Sequence, residues 1–543
     1  MRCILLLILL ITCNSINAQL SLESINIKYG SEITEKRGNL IKIGGIANGK
    51  IYAVARKKRD YYVQSFDAIT LDFLESKKID IDKSGRTMIE VEDIQIINGR
   101  PIVFLNYLKR VLKQDIFAAF SIANNLELIE ERELLIIEDR VFSNRADFMF
   151  QISDDKSFYT VAYVVADDKK KIISHHVTTV NSAMEELFTD RFDYSIEDDE
   201  YYRFDDFTVT NQGDTFLYSS TKTINGGSGS GTTKIDVKSY TNGSEYKPKS
   251  YNTEINDLAI DRSKLVLKEN TLNILGLYSG LDKDGYKERN IKGYYSLNFD
   301  MKQDKFQTPV IQPFSEQLKK QLLGTEKYED GDEIYTSYRI PKVIRKNDGG
   351  LILVIENYLT NTLQLYGNMM VSENTYYYAG TVVLLELDST GHLEWQIVVP
   401  KKQQVKVDNY KVKKPAIPRY GDYKINGGID YPLGLMNYGV EYLSIVPFYK
   451  DGTVSLLFND HFKNKGVTRF EELKLASNIK KMMPSVFHID LSSKILIRED
   501  PESYEKNQIK IRPSVYYKIS DSKYLISLSH KKEKRLGVLE LVD

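Results

Sequence analysis

One pattern recurs along almost the whole chain. A run of apolar or aromatic residues ends at a small polar residue, a short turn follows, and a second apolar run begins, as in VVLLELDSTGHLEW at residues 382–395. Eight such breaks can be aligned, at Asp67, Ala123, Asn181, Thr241, Asp300, Asp388, Asp490 and Asp543. Five of the seven intervals are 53 to 60 residues long, and the other two are 88 and 102 residues. Such a repeat constrains the fold strongly, because each unit must pack against its neighbours.

Each repeat also contains two earlier apolar segments joined by a polar tip. Examples are LIKIGGIANGKIYAVARK and FMFQISDDKSFYTVAYVV, in which Asn-Gly or Asp-Asp separates two short runs. Such tips are typical of β-hairpins. The chain has 37 tyrosines and 22 phenylalanines but one tryptophan, and tyrosine favours strands. Each repeat is therefore predicted to form four strands joined by short turns.

Repeated four-stranded sheets stacked around an axis form a β-propeller. From about Leu20 to Asp543 the chain resembles the β-propeller superfamily, although it lacks the tryptophan-aspartate pairs of WD40 repeats and the double glycines of kelch repeats. The resemblance is to an all-β architecture and carries no functional residues with it. Eight blades are expected, or seven if the weak repeat near Thr241 merges with a neighbour. The final repeat lacks a fourth strand, which Leu20–Gly30 is predicted to supply.

The two long intervals predict insertions near residues 301–340 and 400–435 of a single domain that spans residues 19–543. In the first, Gln312–Gly324 has apolar residues at helical spacing. A second short helix is expected at residues 468–483, because Thr468 and Glu471 form a capping box. The basic stretch Lys401–Pro415 is interpreted as a solvated connection between blades.

The first 18 residues have the features of a secretory signal peptide. Arg2 precedes a short apolar run, and Ala18 is a suitable cleavage site. The run is too short to span a bilayer, so no transmembrane segment is predicted. The alternative is lipid attachment at Cys13 within a weak lipobox. We expect an exported protein, in the periplasm, on the outer surface or outside the cell.

Composition and motifs exclude several classes of function. The net charge is −1, which does not favour a nucleic-acid partner. Both cysteines, Cys3 and Cys13, lie in the leader, which excludes thiolate nucleophiles from the mature chain. No catalytic residue, cofactor or metal site is predicted. The adjacent histidines His175 and His176 would point to opposite faces of a strand, and the acidic cluster Ser195–Asp206 is interpreted as a solvated loop.

The segment Pro415–Gly434 is the predicted binding loop, since tyrosine offers a broad stacking surface and glycine lets the backbone approach a ligand. The alternative is that this loop covers a blade edge or the central channel. Its candidate ligand-binding residues are Arg419, Tyr420, Asp422, Tyr423, Asp430 and Tyr431.

These features predict a monomeric, noncatalytic binding or scaffold protein of the bacterial cell envelope. Its expected partner is an envelope protein or a glycan, recognised through loops on one face. One alternative is a polysaccharide hydrolase or lyase that uses carboxylates at the channel mouth. The other is a structural subunit of an envelope assembly.

Overall fold

The computed structural model consists of eight four-stranded antiparallel sheets in a ring, an eight-bladed β-propeller. The prediction of eight blades is confirmed. The structure describes residues 20–542 except 35–36, 82–88, 139–146, 168–169, 226–229, 269, 325–327, 330–331, 336, 367–370, 409–439, 505–508 and 531–532.

The strands follow one another from blade to blade along the chain, after two N-terminal strands, β1 (Leu20–Ser21) and β2 (Ile25–Tyr29). Blades 1 and 2 contain β3–β10, at Asn39–Ala47, Lys50–Lys57, Asp60–Asp67, Phe73–Lys78, Ile89–Ile97, Arg100–Lys109, Gln114–Ile122 and Leu128–Ile137. Blades 3 and 4 contain β11–β18, at Phe148–Ile152, Phe158–Asp167, Ile172–Asn181, Glu186–Ser195, Glu200–Val209, Thr215–Asn225, Ser230–Tyr240 and Lys249–Asn256.

Blades 5 and 6 carry additional strands that fall in the two predicted insertions. Blade 5 contains β19–β22, at Ala259–Lys268, Thr271–Leu281, Lys287–Asp300 and Lys305–Phe306, with β23 (Val310–Pro313) and β24 (Ile334–Tyr335) paired to β21. Blade 6 contains β25–β28, at Tyr338–Arg345, Leu351–Tyr366, Val371–Leu387 and Leu393–Val399, with β29 (Gln403–Asp408) paired to β27.

Blade 7 contains β30–β33, at Val446–Lys450, Thr453–His461, Met482–Asp490 and Ile495–Glu499. Blade 8 is assembled from both ends of the described chain. It contains β34–β36, at Lys510–Lys518, Lys523–His530 and Glu533–Leu541, followed in space by β2 and β1.

The ring closes where β2 pairs with β36. The two strands are antiparallel, with Ile25 opposite Leu541 and Tyr29 opposite Gly537. Ile27 is fully buried in a cluster that joins blade 8 to Phe448 of blade 7. The prediction that Leu20–Gly30 supplies the missing strand of the last sheet is confirmed.

The recurrent polar residue of the sequence pattern lies at the turn between the third and fourth strands of a blade. Asp67 Oδ1 accepts hydrogen bonds from the backbone N–H groups of Ile69 and Thr70. Asp388 and Asn181 bind their own turns in the same way. A short side chain that accepts backbone N–H groups stabilises a tight turn, which explains why aspartate or asparagine recurs at this position.

One predicted helix forms and the other does not. The helix α1 (Glu316–Leu323) is capped by Ser315, whose Oγ accepts from Leu318 N, and it ends at Gly324. The prediction of a helix at residues 468–483 is wrong. The helical structure that the described residues form in that segment is limited to a 3-10 turn at Ile479–Lys481, directly before β32.

Tertiary hydrogen bonds replace that second helix. Asn464 accepts from the N–H of Lys474 and donates to its carbonyl, and Ala476 forms an isolated bridge with Gln403. Local capping propensity is a weak preference that such contacts override.

Candidate functional site: the central channel

The first strands of blades 3 to 8 surround a cavity of about 720 Å³. Each of these blades contributes residues from its first strand or from the turn that follows, which places the cavity in the central channel of the ring. The volume lies within the range of roughly 300–1,000 Å³ that is typical of small-molecule sites. The charged residues that line it are Asp154, Asp206, Lys264, Lys342, Arg345, Lys450, Asp451, Lys518 and Asp521.

A β-bulge in β25 changes the direction of the side chains in that strand. Arg339 stands opposite Glu356, whereas Lys342 stands opposite Val354, so the first strand holds one extra residue. Pro341 lies inside the bulge, where its missing N–H costs no ladder hydrogen bond. The bulge places Arg339 and Lys342 on the same face of the sheet, since Glu356 and Val354 are two residues apart. Arg339 binds a buried carboxylate there, and Lys342 lines the channel.

Several channel cations lie beside carboxylates. Arg345 Nη1 is 2.5 Å from Asp154 Oδ2, and both side chains are about half exposed. Lys518 Nζ is 2.6 Å from Asp521 Oδ1, also in solvent. Exposed pairs of this kind are weak, of about 0–1 kcal/mol, so these cations remain open to a competing anion.

Lys342 differs from the other channel cations. It has no hydrogen bond or ion pair with any residue of the described part of the chain. Its side chain is exposed to the channel, yet the surrounding protein displaces water from it. This desolvation lowers the pKa of Lys342, and the positive charges of Lys518 and Arg345 lower it further.

Blades 7 and 8 give the cavity an aromatic wall. Tyr449 and Tyr516 are half-buried and line it, and Tyr524 packs behind them against Phe448. Burial raises the pKa of Tyr449 and of Tyr516, so both phenols stay neutral at neutral pH. The cavity therefore combines cations with partly open aromatic rings.

The turn between β11 and β12 of blade 3 reaches across the ring. Its Asp154 contacts Arg345 of blade 6, and its Lys156 donates to the Tyr517 hydroxyl of blade 8 at 2.8 Å. Gly45 of blade 1 makes room for this contact, because a Cβ there would lie 2.9 Å from the Tyr517 hydroxyl oxygen. The turn thus forms part of the channel wall.

A second group of ionic side chains, the buried ion network, lies between blades 6 and 7. Glu356 Oε2 accepts from Arg339 and from Ser444, at 2.6 and 2.9 Å, and its Oε1 lies 2.9 Å from Lys401 Nζ. Both Glu356 and Lys401 are fully buried. Gln403 continues the network by accepting from Lys401 and from the backbone of Ser444.

The buried ion network holds Glu356 ionised. Burial alone would raise the pKa of Glu356, but Lys401 and Arg339 outweigh burial and lower it to about 2. Burial also lowers the pKa of Lys401 despite the adjacent carboxylate. Arg339 stays charged at any accessible pH. It therefore keeps Glu356 an anion and lowers the pKa of that carboxyl group.

The structure corrects two interpretations of charged segments. Lys401 opens the basic stretch that was expected to be solvated, yet it is fully buried against Glu356. Asp205 and Asp206 were expected in a solvated acidic loop, but they lie in β15 with 1% and 8% exposure. Asp206 lines the channel near Lys264, at 3.9 Å.

The predicted binding loop lies outside the described residues. This applies to all six candidate ligand-binding residues: Arg419, Tyr420, Asp422, Tyr423, Asp430 and Tyr431. The predicted signal peptide and Cys13 also lie outside them. The sequence did not predict the channel residues, although the repeat marks the first strands of the blades, in which Lys342 and Lys518 lie.

The histidines that the sequence places side by side have different surroundings. His175 is buried, bonds the Tyr202 hydroxyl at 2.7 Å and stacks on Phe192, whereas His176 faces Tyr163. Within the described ranges, no group of three or more His, Cys, Asp or Glu residues is arranged to hold a metal ion. None of the helices formed by those residues has the length and apolar character to cross a membrane.

The comparisons with known proteins give structural likeness only. No family model matches the chain, and no curated protein matches it. The Dos1 propeller is similar over 94% of this chain and 95% of its own, with a TM-score of 0.42 and 8% identity. The WD40 domain of SCAP from fission yeast is similar over 95% and 98%, with a TM-score of 0.33 and 9% identity.

A third similar structure is larger than this chain. Prolyl oligopeptidase B from Galerina marginata, bound to a 35mer substrate, matches 94% of this chain and 55% of its own, with a TM-score of 0.36 and 7% identity.

Proposed function

We infer that this chain is an exported, noncatalytic binding protein of the bacterial cell envelope whose ligand enters the central channel. The carrying observation is the cavity of about 720 Å³ lined by six blades. Its wall combines half-buried tyrosines with nine charged side chains, and a concave cavity of this size with convergent polar groups can hold a ligand. The predicted ligand is a glycan or part of an envelope protein.

The carboxylates of the channel support binding more than catalysis. Glycoside hydrolysis commonly requires two carboxyl groups that face one sugar. Asp206 is the best candidate acid, because burial raises its pKa. Its two oxygens, however, accept from the backbone N–H groups of Phe207 and Leu265, which tie blade 4 to blade 5.

Two of the remaining carboxylates have partners that oppose a catalytic role. Asp154 is paired with Arg345, and Asp521 is paired with Lys518. Asp451, the fourth channel carboxylate, lies exposed in a turn of blade 7, so a hydrolase or lyase would have to use it together with Asp206 or break one of these contacts. The alternative function, a polysaccharide hydrolase or lyase, is tested by measuring whether any glycan that binds is cleaved and its products released.

Placing a large side chain in the channel tests the proposal. Asn347 is exposed and lines the cavity, so Asn347→Trp should obstruct the ligand and weaken its binding at least tenfold. Val111, which is 96% exposed in a turn of blade 2, provides the matched control Val111→Trp. Binding is measured by a screen of glycans and envelope proteins against the chain from Gln19 onward.

The outcomes of this screen separate the candidate functions. A ligand that binds the unmodified chain and the Val111 variant but not the Asn347 variant supports a channel site. A ligand that binds all three equally contradicts it and favours the predicted loop Pro415–Gly434 or another surface. Cleavage products would establish the enzyme instead, and stoichiometric capture of one envelope protein by all three variants would favour a structural subunit.

A further inference from the structure

Lys342 is a cation in a confined space, and it has no ion pair or hydrogen bond with a described residue. Lys264, Arg345 and Lys518 line the same cavity. With Lys450 the cavity has five cations against four carboxylates, and Lys518, Arg345 and Lys264 all act electrostatically on Lys342. A local excess of positive charge in a cleft attracts ligands of the opposite charge, so the surroundings of Lys342 form a favourable position for an anionic group.

The carboxylates of the channel only partly offset this positive charge at Lys342, since Asp154 acts on it less strongly than Lys518 or Arg345 does. Asp206 is engaged by two backbone N–H groups, and Asp521 lies 2.6 Å from Lys518 in solvent. Asp154 contacts Arg345 from the turn of blade 3, with 64% of its side chain exposed. Asp154 thus occupies the face of Arg345 that an incoming anion would use, and acts as a weak internal competitor.

The aromatic wall indicates a second property of the ligand besides its negative charge. Tyr449 and Tyr516 leave part of their rings open to the cavity that Lys342 lines. Tyrosine rings offer flat amphipathic surfaces that lose little entropy on binding, which suits the apolar face of a pyranose ring. Cations beside open tyrosines match a sugar that carries carboxylate groups.

We propose that the channel binds a short uronic-acid oligosaccharide, with Lys342 as the principal contact to a sugar carboxylate and Tyr449 and Tyr516 as stacking surfaces. This proposal rests on the channel being the binding site of the protein. Lys518, Arg345 and Lys264 add attraction from the neighbouring blades. Replacing the internal Asp154 contact by the ligand carboxylate releases that side chain to water.

The test uses trigalacturonate as the probe and isothermal titration calorimetry on the full chain from Gln19. The neutral trisaccharide of galactose controls for shape, inorganic phosphate controls for any small anion, and triglutamate represents an acidic peptide. The expected order is trigalacturonate far above the other three. Raising the ionic strength from 0.05 to 0.5 M should weaken trigalacturonate binding severalfold, because salt screens exposed charges.

Three variants locate the site. Lys342→Gln should weaken trigalacturonate at least tenfold, whereas Lys302→Gln, at an exposed turn of blade 5, should leave it unchanged. Asp154→Asn removes the competing carboxylate from Arg345 and should strengthen trigalacturonate binding about threefold to tenfold. A gain of affinity cannot come from misfolding, so the Asp154 variant keeps the test informative if the Lys342 variant is unstable.

Each contrary outcome overturns a defined part of the proposal. Equal binding of trigalacturonate and its neutral counterpart, or an unchanged affinity in Lys342→Gln, overturns the assignment of Lys342. Binding of triglutamate or phosphate as tight as that of trigalacturonate overturns the acidic sugar. If the probe fails while the Asn347→Trp screen still identifies a channel ligand, the proposed function stands without this inference; if trigalacturonate binds but Asn347→Trp leaves it unaffected, the channel assignment itself fails.

Discussion

Two lysines of blade 6 occupy opposite electrostatic environments: Lys342 lies in β25, and Lys401 contacts Glu356 of the adjacent β26. Lys401 is fully buried and its ammonium is 2.9 Å from Glu356, which also binds Arg339. Lys342, three residues after Arg339 on the other side of the bulge, faces the channel and has no partner among the described residues. The fold pairs the cation that it buries with a carboxylate, whereas the cation in the cavity has no ion pair with a described residue.

This difference follows from desolvation. A buried charge without a partner costs several kcal/mol, so Lys401 is retained only with Glu356. Lys342 keeps access to water in the channel, which makes its lack of a partner tolerable, and its lowered pKa reflects burial together with the nearby cations Lys518 and Arg345. The buried pair is structural, whereas the channel cation is available to a ligand.

The largest expected effect is on the free energy of unfolding, when Lys401 and Lys342 are neutralised one at a time. Lys401→Met should destabilise the protein by about 3–5 kcal/mol, because it leaves the carboxylate of Glu356 with fewer partners in a dry site. The matched Lys342→Met should change stability by less than about 1 kcal/mol, since it removes a charge repelled by its neighbours. Guanidinium unfolding measures both, and equal losses in the two variants would contradict the distinction.

Acid should weaken the buried ion network, because it protonates Glu356. The pKa of Glu356 in the folded protein is about 2, below the value of about 4.3 for glutamate in an unfolded chain. Its contribution to stability is therefore complete above about pH 4.3 and is lost as the pH falls towards 2, on the order of 3 kcal/mol. Urea unfolding across this range should show the loss in the unmodified chain.

The variant Glu356→Gln provides the control for that titration. It should be less stable at neutral pH and should have a flatter pH dependence between about pH 4.3 and 2. The same slope in both proteins would show that other carboxylates account for the acid sensitivity.

The smallest expected effect concerns the exposed pair across the channel. Asp154→Asn should alter stability by less than about 1 kcal/mol, because Arg345 and Asp154 are both about half exposed. The same substitution is expected to strengthen trigalacturonate binding. A large loss of stability, seen as a shift of the thermal midpoint by many degrees, would mean that the pair holds the ring together.

The blade architecture could be predicted from the sequence because its signal is local and repeated. Asp67, Asp388 and Asp490 accept hydrogen bonds from backbone N–H groups of their own turns, so the same residue type recurs at one phase. Closure by Leu20–Gly30 followed from counting strands in the last repeat. The turns depend on residues that are near each other in the chain. The closure joins opposite ends of the chain, but it could be predicted because one strand was missing from the last repeat and one was left over at the start.

The ionic sites could not be predicted because their partners are distant in sequence. The local sequence predicts that Lys401 belongs to a solvated basic stretch. Its partner Glu356 lies on another strand, and only the fold brings the two together. The bulge that turns Lys342 into the channel depends on the register of β25 against β26. The false helix at residues 468–483 has the same origin, since Asn464 supplies backbone contacts that local propensity does not include.

The central claim is that Lys342 is a cation held open for an anionic sugar, and its own titration tests this most directly. After reductive ¹³C-methylation of the lysines, the Lys342 resonance is identified by its absence from Lys342→Gln and followed by NMR as the pH is raised. We predict a pKa below the usual value of about 10.4 for lysine, which rises when trigalacturonate is added. A Lys342 resonance with an ordinary pKa that trigalacturonate does not shift would contradict the claim.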